Sequence, residues 1–175
     1  LLYDLFLEQD GRALLLMPVF NYAAGDCEAI REQLTHPYGV SGLSDGGAHC
    51  GMICDASIPT FLLTHWARDR SRGKRLELEW LVQKQSRETA RLFGLDDRGT
   101  LEVGQKADLN VIDFENLVLQ LPRLDHDLPA GGRRLLQEAE GYDYTIVSGE
   151  LMYFGWFSAF SKMRPPKPNT LPTCE

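Results

Sequence analysis

The sequence predicts an α/β fold in which parallel-sheet units lead into helices and then into a cluster of short β-strands. Three observations predict it. Two almost uninterrupted apolar runs, 13–20 and 40–45, flank a short amphipathic segment, as strands covered on both faces flank a crossover helix. The second run ends on one acid, Asp45, with Gly46 and Gly47 directly behind it. After Arg98 the apolar period shortens to strand-like runs split by glycine turns.

The elements follow in order. Leu1 to Leu7 has helical apolar spacing, and Asp10-Gly11 stops it. Ala13 to Phe20 reads as a buried strand that bends or ends near Pro18, which has no N–H for a ladder. Asn21 and Tyr22 sit at its exit, where either a pocket lining or a turn fits. Asp26 is placed to cap a helix with Cys27, Ile30 and Leu34 on one stripe, and His36-Pro37 ends it. Val40 to Asp45 is the second strand, which completes a βαβ crossover.

Ser57-Ile58-Pro59-Thr60 opens a helix to about Arg68, with Ile58, Leu62 and Trp66 along one face and His65 beside them as a core-edge residue. The next helix, about Leu76 to Phe93, carries Leu78, Leu81, Val82, Gln85, Thr89, Leu92 and Phe93 at helical spacing. Lys84, Glu88 and Arg91 lie on its other face, and Gly94 is its left-handed stop. Short strands are expected within Gly99 to Phe114, over Leu117 to Leu121 and Tyr142 to Val147, then after a Ser148-Gly149 turn over Leu151 to Phe154. Pro122 to Glu140 reads as a loop with a short helix, and Met163 to Pro168 as an extended tail.

Composition sets bounds on function. The chain has 175 residues, 43% of them hydrophobic, which suits one buried core. With 18 basic against 25 acidic residues the net charge is -7, so nucleic acid is not expected as a partner. The run Arg68 to Arg75 is the local exception and reads as a solvated loop, with anion binding as the other reading. No apolar run is long enough to span a bilayer, so no membrane partner is expected. The start lacks both a signal-peptide pattern and an initiator Met, and reads as beginning partway through a longer chain. Cysteines at 27, 50, 54 and 174 form no framework of close pairs, so a reducing cytoplasm is the expected compartment. His49, Cys50 and Cys54 match no common zinc-finger spacing.

The candidate chemistry lies in Val40-Ser41-Gly42-Leu43-Ser44-Asp45-Gly46-Gly47-Ala48-His49. In a parallel barrel, side chains at the carboxyl ends of strands face the active site. A carboxylate there can hold a metal and take a proton from water, and the glycines allow close approach of a ligand. The other reading is a strand-ending Asp that caps a helix or begins a turn.

Three segments together resemble the C-terminal part of the amidohydrolase superfamily, and within it the N-acyl-D-amino-acid deacylase (D-aminoacylase) group. They are Gly42 to His49, Ser86 to Leu95, and Asp97 to Asp113 with its Gly-x-x-x-x-Gly-x-x-Ala-Asp-Leu pattern. The resemblance covers about 14–150. It implies a fold class of α/β type: the last two strands and helices of a metal-dependent (β/α)8 TIM barrel, plus the C-terminal share of a small β-sandwich. Residues 1–97 would then belong to the barrel, 98–160 to the sandwich and 161–175 to a tail. It further implies hydrolysis of a C–N amide bond in a small-molecule substrate. Asp45 is then both catalytic residue and metal ligand, and Asn21, Gly46, Gly47 and His49 border the substrate.

The implied cofactor is a divalent metal, zinc. Its other ligands are absent here, since the family's early His-x-His, its middle-strand ligand and its later histidines have no counterpart, and neither His36 nor His65 is placed to replace them. The N-terminal part of the same barrel is therefore an expected partner, and a homo-oligomer a further one. A hydantoinase-type cyclic amidohydrolase is the alternative within the fold, and a non-catalytic association module the alternative outside it. Beyond Glu150 the run Met152 to Phe157 departs from the family's usual ending.

Overall fold

The computed structural model describes residues 1–16, 20–41, 44 and 49–155. Helices fill the first part of the chain and antiparallel strands the second. Helix α1 is Leu2–Gly11, but Gln9 and Asp10 are left-handed, so regular winding ends where Asp10-Gly11 predicts. None of its side chains is buried. Helix α2 is Glu28–Thr35. The Asp26 carboxylate accepts the Glu28 N–H at 3.0 Å, and His36 turns extended ahead of Pro37.

Helix α3 covers 58–69. It begins as Ile58–Phe61 and widens over Leu62–Asp69, where the Arg70 N–H reaches back five residues to the His65 carbonyl at 2.9 Å. Ser57 does not cap it, because a 3-10 turn, Asp55–Ser57, runs straight into the helix and leaves the hydroxyl pointing elsewhere. Helix α4 covers 78–92, with a widened middle at Lys84–Glu88. The core lies between these helices and the first β turns: Cys27, Leu62, Leu63, Trp66, Leu81 and Leu117 are buried together.

Seven strands follow: β1 Leu109–Ile112, β2 Val118–Leu119, β3 Arg123–Leu128, β4 Gly132–Leu136, β5 Ala139–Glu140, β6 Tyr142–Val147 and β7 Glu150–Phe154. They make a three-stranded sheet in the order β1-β6-β7 and two two-stranded ladders, β2-β5 and β3-β4, all antiparallel. Gly99 and Gly141 make two close approaches possible. Gly99, at φ +92, lies on α4 where a Cβ would stand 3.0 Å from Ala90 Cβ, and Gly141, at φ +100, lies on Leu117, where a Cβ would stand 2.6 Å from its Cα.

Several expectations are corrected. Ala13 to Leu16, Val40 and Ser41 take no regular structure. A parallel strand owes its hydrogen bonds to neighbours, and no strand among the described residues pairs with either run. The parallel crossover expected there is thus not formed by the described residues, and the rest of both runs, 17–19, 42–43 and 45, lies outside them. The tail expected at Met163 to Pro168 lies outside them as well.

Within Gly99 to Phe114 only β1 is a strand. Pro122 to Glu140 is not a loop with a short helix but chiefly a hairpin, β3-β4, turned by a 3-10 segment at Pro129–Gly131. Its charges conceal the strands in the sequence. They are satisfied by ion pairs such as Arg134–Asp127 within the hairpin and Arg123–Glu138 just beyond it.

Two charged segments also differ. Lys84, expected on the helix's other face at ion-pairing distance from Glu88, does pair with it at 3.4 Å but is buried, while Val82, Leu92 and Phe93 of the expected apolar stripe are exposed. The run Arg68 to Arg75 is more than a solvated loop. Arg68 Nη2 donates to the Leu117 carbonyl at 2.7 Å, tying α3 to the β region. Arg70, buried, lies over the Trp66 ring at 4.5 Å, pairs with Glu28 and donates to the Arg72 and Lys74 carbonyls. A guanidinium can meet several acceptors in one plane, so both arginines close the end of α3.

Candidate functional site

Asp45, Gly46 and Gly47 lie outside the described residues; the chain on both sides of them does not. On the leading side, Lys84 Nζ of α4 donates to the Gly39 carbonyl at 2.5 Å, and Thr89 Oγ1 donates to the Ser41 carbonyl at 2.5 Å. The Lys84 ammonium also faces the Trp80 ring at 5.0 Å and Glu88 at 3.4 Å. Such a buried cation is tolerated because its hydrogens meet a carbonyl, a carboxylate and a π-face. Both donors sit at the widened turn of α4, where the Thr89 hydroxyl also reaches the Lys84 carbonyl at 3.0 Å. Ser41 Oγ is buried without a hydrogen-bond partner among the described residues.

The trailing side is held by the β region. His49 is left-handed, at φ +49, and its carbonyl accepts the N–H groups of Met52 at 2.8 Å and Ile53 at 3.0 Å, which folds 49–53 into a tight turn. The Cys50 carbonyl accepts the Leu135 N–H of β4 at 2.7 Å. Ser57 Oγ donates to Gln137 Oε1 at 2.5 Å, and the Gln137 amide donates to the Gln120 carbonyl at 3.0 Å. The Thr60 and Tyr142 hydroxyls meet at 2.7 Å, joining α3 to β6. The motif that holds Asp45 is therefore bracketed by anchored backbone, from helix α4 before it and from hairpin β3-β4 after it.

The other residues named from the sequence are placed as follows. Asn21 is left-handed, at φ +61, and its amide exchanges hydrogen bonds with the Gln33 amide of α2 at 3.3 and 3.2 Å, so its polar group is engaged by a helix. His49 is exposed and serves the turn through its carbonyl. His36 ends α2, and its Nδ1 accepts the Tyr38 N–H at 3.2 Å. His65 is buried, stacked on Phe61 at 4.8 Å and edge-on to Trp66 at 5.1 Å, as a core-edge residue should be.

Among the described residues, a metal site would need several donor side chains brought together. Nowhere among them do three or more His, Cys, Asp or Glu side chains gather as a metal requires. Burial, with help from the Asp55 charge, raises the Cys54 thiol above its ordinary value. Elsewhere charge is spent on structure. Hydrogen bonds from Arg98 and Lys106 hold Asp97 down at about 2. Asp108 pairs with Arg98 at 3.1 Å and accepts the Ser148 N–H at 2.7 Å. The acid of the Ala-Asp-Leu pattern thus pins the β6-β7 turn.

Lys84, Ser57 and Gln137 were not singled out from the sequence for a role at the site. For Lys84 a signal existed: it lies one helical turn beyond both Trp80 and Leu81, in register with the buried stripe. For Ser57 and Gln137, 80 residues apart, none did.

No helix among the described residues is long and apolar enough to cross a membrane. No curated protein and no solved structure matches the chain. A family model described as "Amidohydrolase family" does match, over residues 7–153. That span takes in the bracketed motif, both of its anchors and nearly all of the β region, so the match rests on the same residues that the fold ties together. The chain belongs to the amidohydrolase family.

Proposed function

We propose that these residues form the C-terminal portion of a metal-dependent amidohydrolase that cleaves the N-acyl bond of a D-amino acid derivative, with Asp45 moving the proton. The family assignment makes the protein a hydrolase of amide-type bonds in a small-molecule substrate, and members of the family are generally metal-dependent. The family match over 7–153 carries the reading, because it includes Ser44-Asp45-Gly46-Gly47-Ala48-His49, the segment that resembles the deacylase group.

In this reading the Asp45 carboxylate takes a proton from the attacking water as its oxygen adds to the amide carbonyl. The proton then goes to the nitrogen as the C–N bond breaks, since an amide nitrogen leaves as an amine and not as its anion. The products are a carboxylic acid and an amine, which at neutral pH stand as the carboxylate and the ammonium ion. Gly46, Gly47 and His49 border the substrate, whereas Asn21 must release Gln33 to reach it. The metal is zinc, with Asp45 as one ligand; the resemblance implies that the family's other ligands have no counterpart in this sequence, and among the described residues no three His, Cys, Asp or Glu side chains gather. The end of a (β/α)8 barrel and a share of a β-sandwich are the architecture that the resemblance attaches to this reading, although the described parts of 13–20 and 40–45 form no strand. The N-terminal part of the barrel is the partner that completes it.

The test uses the protein expressed with its full reading frame and supplied with zinc, assayed on N-acetyl-D-amino acids with hydantoins as comparison. Release of the free D-amino acid, falling by roughly 10²–10⁴-fold in Asp45→Asn, is expected. No hydrolysis under any divalent metal, or an Asp45→Asn variant with full rate, overturns the proposal. Preference for the hydantoins transfers it to the cyclic amides.

A further inference from the structure

We draw no further inference here: the strongest candidate, the exposed apolar face of the β1-β6-β7 sheet on which Val111, Tyr144 and Phe154 stand in one cross-strand row, carries nothing because nothing in the structure shows what covers it.

Discussion

Ser57 and Gln137 meet at 2.5 Å across 80 residues of chain, and through that contact the loop trailing the Asp45 motif is tied to the segment that follows hairpin β3-β4. The Gln137 amide continues the link to the Gln120 carbonyl, so a single side chain joins three separate stretches. Replacing Gln137 with Leu should destabilise the fold by about 1–3 kcal/mol, since two part-buried partners lose their bonds at once. Ser57→Ala should cost about 1 kcal/mol, and the double variant less than the sum of the two. Urea unfolding of the four proteins checks this; strict additivity would mean that the bond does not couple the two regions.

Gly141 permits the close crossing over Leu117 at which the β region meets the helical core. A Cβ there would stand 2.6 Å from Leu117 Cα, on a residue at φ +100. Gly104 has nearly the same φ, +96, with nothing within 4 Å. Gly104→Ala therefore isolates the backbone strain, about 1–3 kcal/mol, and Gly141→Ala adds the collision. The Gly141 variant should be the less stable by at least about 1 kcal/mol, and equal losses by thermal melting would refute the contact.

Asp97 gives a pH dependence of definite sign. Hydrogen bonds from Arg98, then Lys106, lower its carboxyl from an ordinary 3.8 to about 2 in the folded chain. The unfolded chain therefore takes up the proton first as pH falls. The stabilisation is complete above the ordinary carboxylate value and disappears as pH drops through about 2. Asp97→Asn should melt below the parent at about pH 6, and the gap should close near pH 2. A gap that widens on acidification would reverse the argument.

Apolar surface stands open at both ends of the described chain. In α1 Phe6 is 51% exposed, and in β7, an edge strand among the described residues, Leu151 is 58% and Phe154 53% exposed. An uncapped strand edge with apolar side chains recruits another chain. The 175-residue chain by itself should scatter light as a species above 19.7 kDa that grows with concentration. Replacing Leu151 and Phe154 by Lys and Thr should reduce that growth. A concentration-independent mass of 19.7 kDa would show that these faces need no cover.

How much of this was legible beforehand depends on how far each signal reaches along the chain. Helices α2, α3 and α4 follow from apolar spacing, and their ends at His36-Pro37 and Gly94 follow from backbone restrictions carried by one or two residues. The Ser148-Gly149 turn and strand β6 were local in the same sense. Asp45 stood out because an acid behind an apolar run and ahead of two glycines is a short-range pattern.

Tertiary structure alone decided the rest. It buried Lys84 against Gly39, Trp80 and Glu88, turned Arg68 and Arg70 from an apparent loop charge into links within the fold, and paired the charged β3 and β4 strands through Arg134 and Asp127. It also left 13–16 outside any sheet, since an apolar run becomes a strand only where a neighbour accepts its hydrogen bonds. The sequence determined what each segment can form from its own residues. The tertiary structure decided where each charge goes, because a lysine or arginine is stable in solvent or inside, and only the carbonyls, carboxylates and rings brought from distant segments settle which.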